Sequence, residues 1–403
     1  MSETFERARA LILEKLSVLS AESIPLFEMV GRVLAEEIRA PLDLPRWDNS
    51  AMDGFAVRAE DCASLESLVI EGYIPAGATA DGISVTPGTA VRIMTGAPTP
   101  SGCDTIVPVE ETLEDNGRVV IQGRIEKGAH IRVCGEDVKK GELVIASGSV
   151  LRPAEINMLA SFGFCTVSVV RRPRVAILST GDELVEPGDA VGAGQIVNSN
   201  AYSLAAAVRE IGGEPVLLGI ARDNRESLTE RLKVGLQADA MITTAGVSMG
   251  DRDLVCEVLQ EVGVERLFWK VDIKPGRPTA FGLKNGKPVF SLPGNPVSSM
   301  VTFEEFVRPA LLKMMGYPRI IKPFVKAILK ETISKKEGRV QFLRVRVVDN
   351  GERLIASSSG DQNTGILRTM LRANGIAVLP ASRGLIEAGE EVDIHLIADV
   401  DDI

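Results

Sequence analysis

A chain of 403 residues, 45% hydrophobic and 25% charged, is too long for one ordinary core and too apolar to stay disordered. Roughly two to four domains are expected at this length. The formal net charge of −10 argues against the basic surface that non-specific nucleic-acid binding needs, but leaves room for an anionic ligand in a local basic pocket.

The N-terminus, MSETFERARA, is charged and carries no signal-peptide core, and no apolar run is long enough to span a bilayer. The cysteines at 62, 103, 134, 165 and 256 are scattered, odd in number and without a CxxC pair, which predicts reduced thiols in a cytosolic protein. Only His130 and His395 are present, so a histidine-rich metal site or a Ser-His-Asp hydrolase is not expected.

The elements are predicted in chain order. Phe5, Ala8, Ile12, Leu16 and Leu19 recur at helical spacing and predict a helix over 4–20. A second helix is expected over 30–38, before Pro41 and Pro45 force an extended segment. From 54 to 134, short β-rich runs alternate with Gly and Pro turns, as in a small all-β module. A further β run and a helix beginning at Pro153 follow. Residues 172–317 alternate strand and helix, which predicts a doubly wound, mainly parallel sheet ending in one long helix. A linker at 318–323 leads into period-two strands, hence a second small β-domain.

Chemistry-bearing residues gather where strands empty into loops. SLPGNPVS (291–298) places Pro293, Gly294, Asn295 and Pro296 between a strand and a helix, with Asn295 as N-cap. Such a start favours phosphate, although a plain capped helix looks the same. TTAGVSMGDRD (243–253) offers Thr244, Gly246, Ser248, Gly250 and the carboxylates Asp251 and Asp253. Those carboxylates either cap the next helix or serve a metal or substrate. STGDEL (179–184), with Ser179, Thr180, Gly181, Asp182 and Glu183, occupies the first βα turn, yet lacks GxGxxG. Asp53 and Thr95 sit in the turns of DNSAMDGFAV and RIMTGAPTP, and Asp137 in VCGEDVKKGE. The candidate carboxylates are therefore Asp53, Asp137, Glu183, Asp223 and Asp253, an all-oxygen set suited to Mg²⁺. The candidate cations are Lys270, Lys274, Arg277 and Arg344.

Taken in order, DNSAMDGFAV, RIMTGAPTP, GEDV, STGDEL, GQIVNSN, TTAGVSMGDRD, KPGRPTAFG and SLPGNPVS resemble the molybdopterin molybdenumtransferase family, the MoeA type, related to the E domain of gephyrin. The resemblance spans nearly the whole chain. It implies a multidomain subunit of α/β and all-β parts: an elongated helical/β segment (1–50 and 135–170), a small β-domain (51–134), a doubly wound molybdopterin-binding domain (171–318) and a barrel-like C-terminal β-domain (319–403). It also implies a cytoplasmic homodimer with clefts between subunits, adenylylated molybdopterin and molybdate as substrates, AMP release, and Mg²⁺ as cofactor. Molybdopterin adenylyltransferase and apo-molybdoenzymes become possible partners. Nucleic acid and membrane do not.

Carried onto this sequence, Glu183, Asp223 and Asp253 are the implied metal ligands, joined by Asp137 in catalysis. Lys270, Lys274 and Arg344 are expected to neutralise oxyanion charge, with Asp53 and Thr95 completing the cleft from the partner. The pterin substrate falls to Ser179 to Asp182, Thr244, Gly246, Ser248, Gly250, Pro293 to Pro296, Arg344 and Thr364. The chain departs from the family pattern at Phe55, where tyrosine is common, at Asp251, a frequent glutamate, and at Asn363-Thr364, which replace a Gly-Ser run. Two other readings remain: a molybdopterin adenylyltransferase, which is essentially the α/β domain alone, and a receptor-anchoring scaffold.

Overall fold

The computed structural model describes residues 2–245 and 254–400. Its first helix, α1 (Phe5–Glu14), is capped by the Thr4 hydroxyl, which accepts from the Arg7 amide, and ends at Lys15. The expected helix thus stops five residues early. Its apolar stripe of Phe5, Ala8 and Ile12 packs into the central core. The helix expected over 30–38 does not form. Gly31 takes a φ of +74°, and Val33 and Leu34 bridge instead to Val150 and Val169. Those β-branched and leucine side chains are buried by strand pairing, which overrides their helical spacing.

The N-terminal β-module is one six-stranded sheet, in the spatial order Thr105–Pro108, Gly54–Val57, Thr89–Ile93, Leu68–Ile74, Arg118–Ile121 and Thr112–Asp115. An elongated region is built from segments far apart in sequence. Ala21–Pro25 pairs antiparallel with Thr166–Val170, and Ile38–Arg39 with Leu143–Ile145.

The α/β domain contains β1 (Arg174–Thr180), α2 (Ser199–Glu210), β2 (Glu214–Ala221), α3 (Arg225–Gly235), β3 (Ala240–Thr244) and α4 (Leu254–Glu261). It continues with β4 (Glu265–Phe268), β5 (Ala280–Lys284), β6 (Lys287–Leu292) and α5 (Pro296–Thr302). The sheet order is β2-β1-β3-β6-β5-β4. The first four strands run parallel, and β5 and β4 add an antiparallel edge. Helices cover both faces. Side chains from α1, α2 and α5 share the larger core, and those from α3 and α4 share the other. Helix α5 runs on through a π-turn, Phe303–Val307, into Arg308–Met314.

The C-terminal domain is a closed barrel. The strand β7 (Val340–Asp349) pairs with Leu354–Ser358, which pairs with Val325–Leu329, and that with β8 (Glu391–Leu396). The strand Gly375–Leu379 joins β8 back to β7 and closes the ring. Alternation along β7 turns Leu343, Val345 and Val347 into its core. Ile273–Lys274, from the segment between β4 and β5, adds in parallel to the start of β7. The α/β domain and the barrel therefore share a ladder beside the KPGRP loop.

Candidate functional site

Strand order reverses between β1 and β3. The chain leaves β1 for β2 on one side, then returns to build β3 and β6 on the other. In open α/β sheets the loops part at this point and leave a crevice beyond the carboxyl ends of the strands. A cleft of about 410 Å³ opens there, lined by Ser179, Glu183, Asn198, Asn200, Thr244 and the 293–296 loop, with Ile196, Val197 and Pro278 at its sides. That volume suits a cofactor-sized ligand.

Each wall is held by a specific bond. The buried Ser179 hydroxyl pairs with Asn198 Oδ1 at 2.7 Å, and the same oxygen accepts from the Ala201 amide to cap α2. Asn200 Nδ2 donates to Thr244 Oγ1 at 2.9 Å and to the Gly294 carbonyl at 2.7 Å, tying α2 to the ends of β3 and β6. Beneath the sheet rim, Thr243 and Ser291 exchange a buried bond of 2.9 Å. Gly181 has a φ of +145°, and a Cβ there would lie 2.4 Å from Glu183 Oε2. The turn can therefore fold the Glu183 carboxylate back over residue 181 only if that residue is glycine. Gly294 approaches Ala245 closely enough that a Cβ would sit 3.1 Å from the alanine methyl.

Three polar atoms at or next to this cleft are buried with no partner among the described residues: Asn200 Oδ1 in its lining, Thr180 Oγ1 beside Ser179, and Arg277 Nε beside Pro278. Buried polar groups are ordinarily satisfied, so the unpartnered Asn200 oxygen in the lining suits a polar ligand there.

The sequence-predicted residues divide by where they fall. Ser179, Glu183, Thr244, Pro293, Gly294, Asn295 and Pro296 line the cleft, and Thr180, Gly181 and Asp182 continue the same turn. The exposed Asp182 carboxylate accepts from the Asp223 amide at 3.2 Å, which brings the β1 and β2 loops together. Lys274 is exposed at the end of its short strand, and Lys270 lies with Nζ 4.5 Å from the Trp269 ring. Thr364 reaches the cleft from the barrel, where Asn295 Nδ2 donates to its hydroxyl at 3.1 Å. Asn295 stands at the N-cap position of α5, as expected, but makes no side-chain capping bond and spends its amide on the barrel instead.

Arg344 departs from expectation. Its side chain is 1% exposed and lies under the 358–367 loop, where Nε donates to Thr369 Oγ1 and Nη2 to the carbonyls of Asp361 and Asn363. Burial pushes its guanidinium below the ordinary arginine value, partly offset by Asp361. Asp53, Thr95 and Asp137 do not line this cleft within one chain. Asp53 accepts from both the amide and the hydroxyl of Thr95 at 2.7 Å, and Asp137 is an exposed turn residue. Gly246, Ser248, Gly250, Asp251 and Asp253 lie outside the described residues. Among the described residues no three acidic, cysteine or histidine side chains converge on a metal-sized site.

Residue-type reasoning passed over Asn198, Asn200 and Gln362. The first two sit in the NSN triplet at the start of α2, where the cap signal was legible. Also missed was Arg222, which donates to the carbonyls of Asp182 and Leu184 and braces the Glu183 turn.

Fold and cleft together define a multidomain protein built around a doubly wound α/β ligand-binding domain. Residues 3–163 match the MoeA N-terminal region (domain I and II), 176–313 a probable molybdopterin binding domain, and 326–397 the MoeA C-terminal region (domain IV). The chain belongs to the molybdopterin molybdenumtransferase family. It is 37% identical over 398 residues to the molybdopterin molybdenumtransferase of Haemophilus influenzae, covering 97% of this chain and 98% of that one. It is 38% identical to molybdopterin molybdenumtransferase 2 of Mycobacterium tuberculosis, covering 95% and 97%. A molybdopterin biosynthesis MoeA protein from Pyrococcus horikoshii superposes with a TM-score of 0.82 at 34% identity, over 98% of this chain and 100% of that one.

Proposed function

We propose that this chain inserts molybdenum into molybdopterin, taking adenylyl-molybdopterin and molybdate and releasing molybdenum-loaded molybdopterin and AMP. The observation that carries this is the cleft at the strand-order reversal, lined by hydroxyl and amide side chains, with the buried Asn200 oxygen unpartnered among the described residues and Pro278 of the KPGRP loop at its side. Relatives of matching length are named molybdopterin molybdenumtransferase, which supports the molybdenum transfer itself.

In this reading the amide and hydroxyl groups of Ser179, Thr180, Asn200, Thr244 and the 293–296 loop bind and orient the pterin nucleotide. Lys274 and Arg277 neutralise phosphate and oxyanion charge, joined by Lys270. Arg344 acts from beneath the 358–367 loop by fixing its backbone. Thr364 presents its hydroxyl at the cleft mouth. Asp53, Thr95 and Asp137 would complete the site from the second subunit of a homodimer.

Glu183 lines the cleft, and Asp182 and Asp223 lie in the adjoining β1 and β2 loops, where the Asp182 carboxylate accepts from the Asp223 amide. Hard oxygen donors of the kind Mg²⁺ takes thus stand in and beside the cleft, without forming a cage among the described residues. That ion keeps several waters and binds substrate phosphate beside its carboxylates, so no protein cage is required. Glu183 and Asp223 would hold it, with Asp253. When bound, the ion would stabilise charge on the leaving phosphate. A cytoplasmic location accords with five scattered cysteines, odd in number and without a CxxC pair. No helix among the described residues is long and apolar enough to cross a membrane.

The test is anaerobic turnover of purified protein with adenylyl-molybdopterin and Mg²⁺, with and without molybdate. Molybdate-dependent AMP release, with activation of an apo-molybdoenzyme, is the expected result. Chelation should stop AMP release and added Mg²⁺ restore it, while Asp253→Asn should bind substrate yet release no AMP. Tight substrate binding with no AMP release under any condition would refute the transfer and leave a binding role.

A further inference from the structure

The 358–367 loop is fastened to β7 by an exchange of backbone and side-chain bonds. Pairing of Leu354–Ser358 with β7 runs to Val345, and the Ser359 amide carries it one bond further by donating to the Arg344 carbonyl at 3.1 Å. Gln362 adds its side chain to both backbone groups of the same residue. Its Oε1 accepts from the Arg344 amide at 3.0 Å, and its Nε2 donates at 3.1 Å to the Arg344 carbonyl, which thus accepts from both Gln362 and Ser359. Nε2 also lies 3.1 Å from Ser358 Oγ and 3.0 Å from the Gly360 carbonyl, so its two protons are shared among three acceptors. In return the Arg344 guanidinium takes the carbonyls of Asp361 and Asn363, on either side of Gln362.

This double anchor fixes residue 364 without glycine. Asn363 is tied further, its amide to Asp361 Oδ1 at 2.9 Å and its own Oδ1 to the Gly365 amide at 3.1 Å. What the loop then presents is the Thr364 hydroxyl. A hydroxyl has one proton and two lone pairs. The Asn295 amide occupies a lone pair, so the O–H proton remains to donate to a ligand oxygen at the cleft mouth.

We infer that Gln362 is a positioning residue for the oxyanion substrate, acting through Thr364. The inference rests on the molybdate-dependent reading above and deepens it. A residue that only stabilised the fold would lower the active fraction and leave affinity alone. A positioning residue changes affinity for the one ligand its partner touches.

The experiment uses the full chain as wild type, Gln362→Ala, Gln362→Met, Thr364→Val and the double variant Gln362→Ala/Thr364→Val. Molybdate binding is measured by equilibrium dialysis, and KM and kcat by AMP release. Both Gln362 variants should bind molybdate about tenfold more weakly and raise its KM by the same factor. The kcat at saturation and the KM for adenylyl-molybdopterin should hold within about twofold. The double variant should be no worse than Thr364→Val alone, because the two residues form one path. Gln362→Met, of similar volume but unable to bond, decides the matter if the alanine variant does not fold. Wild-type molybdate affinity in the Gln362 variants, losses that multiply in the double variant, or no molybdate binding by wild type would each overturn the inference. Weakened molybdate binding in those variants together with no AMP release by wild type would leave it standing and refute the proposed reaction instead.

Discussion

At position 181 the missing side chain matters more than any present one. An alanine methyl there would meet the Glu183 carboxylate, and a φ of +145° is strained for any residue with a Cβ. The carboxylate is the free end of a flexible chain, so it would move before the fold gave way. Gly181→Ala is therefore expected to cost about 1–3 kcal/mol in urea unfolding while removing most AMP release, because Glu183 is turned from the cleft. Wild-type turnover in a folded Gly181→Ala protein would take Glu183 out of the site. Asp53 gives a second prediction. The Thr95 amide, then the Thr95 hydroxyl, hold its carboxyl below the ordinary aspartate value. A depressed folded value stabilises the protein above the ordinary aspartate range and is lost as pH falls through the lower value. Thr95→Ala removes the hydroxyl but keeps the amide, so the Asp53 titration should move part of the way up. Carbon-detected NMR of that carboxyl would show it, and an unmoved titration would mean the hydroxyl contributes nothing.

Helix α2 enters the site by its first turn, and Asn200 is its fastening. Asn200→Ala removes bonds to Thr244 and to the Gly294 carbonyl. The expected loss is about 1–3 kcal/mol, with faster amide exchange across 293–296 and about tenfold weaker pterin-nucleotide binding. Unchanged exchange there would mean the loop holds itself. The same element shows what the sequence could and could not tell. A cap residue announced the start of α5, because capping is local chemistry, whereas the Asn198 cap of α2 was passed over. That Asn295 would leave its cap for Thr364, 69 residues on, is tertiary and leaves no local signal. The segment at 30–38 misleads for a related reason: helical spacing was present, but strand partners more than a hundred residues away claimed those side chains.

Across the molecule, the barrel is locked to the α/β domain by a buried pair at the π-turn. His395 Nδ1 on β8 lies 2.8 Å from Glu305 Oε1, with the two residues 3% and 2% exposed. Arg9 of α1 approaches the same carboxylate at 3.7 Å, and Phe324 stacks on the imidazole. Glu305→Leu would leave a buried ring proton without an acceptor, at a cost of about 1–3 kcal/mol. Domain docking should loosen first, seen as faster exchange at the junction of barrel and helix before any change within the α/β sheet. The alternation of elements was enough to place the sheet and its loops, since period and turn chemistry report local conformation. Closure of the barrel and the reach of its loop to the cleft depend on pairings between distant strands. Asp53, Thr95 and Asp137 lie outside the cleft of a single chain for the same kind of reason: their role is proposed for a second subunit.

The most direct measurement is a crystal structure of the protein with adenylyl-molybdopterin and tungstate as a heavy stand-in for molybdate. The account predicts the pterin nucleotide in the cleft between Ser179, Asn200, Thr244 and Gly294, with the oxyanion within hydrogen-bond reach of Thr364. A nucleotide seated elsewhere, or an oxyanion remote from Thr364 and the KPGRP loop, would contradict it.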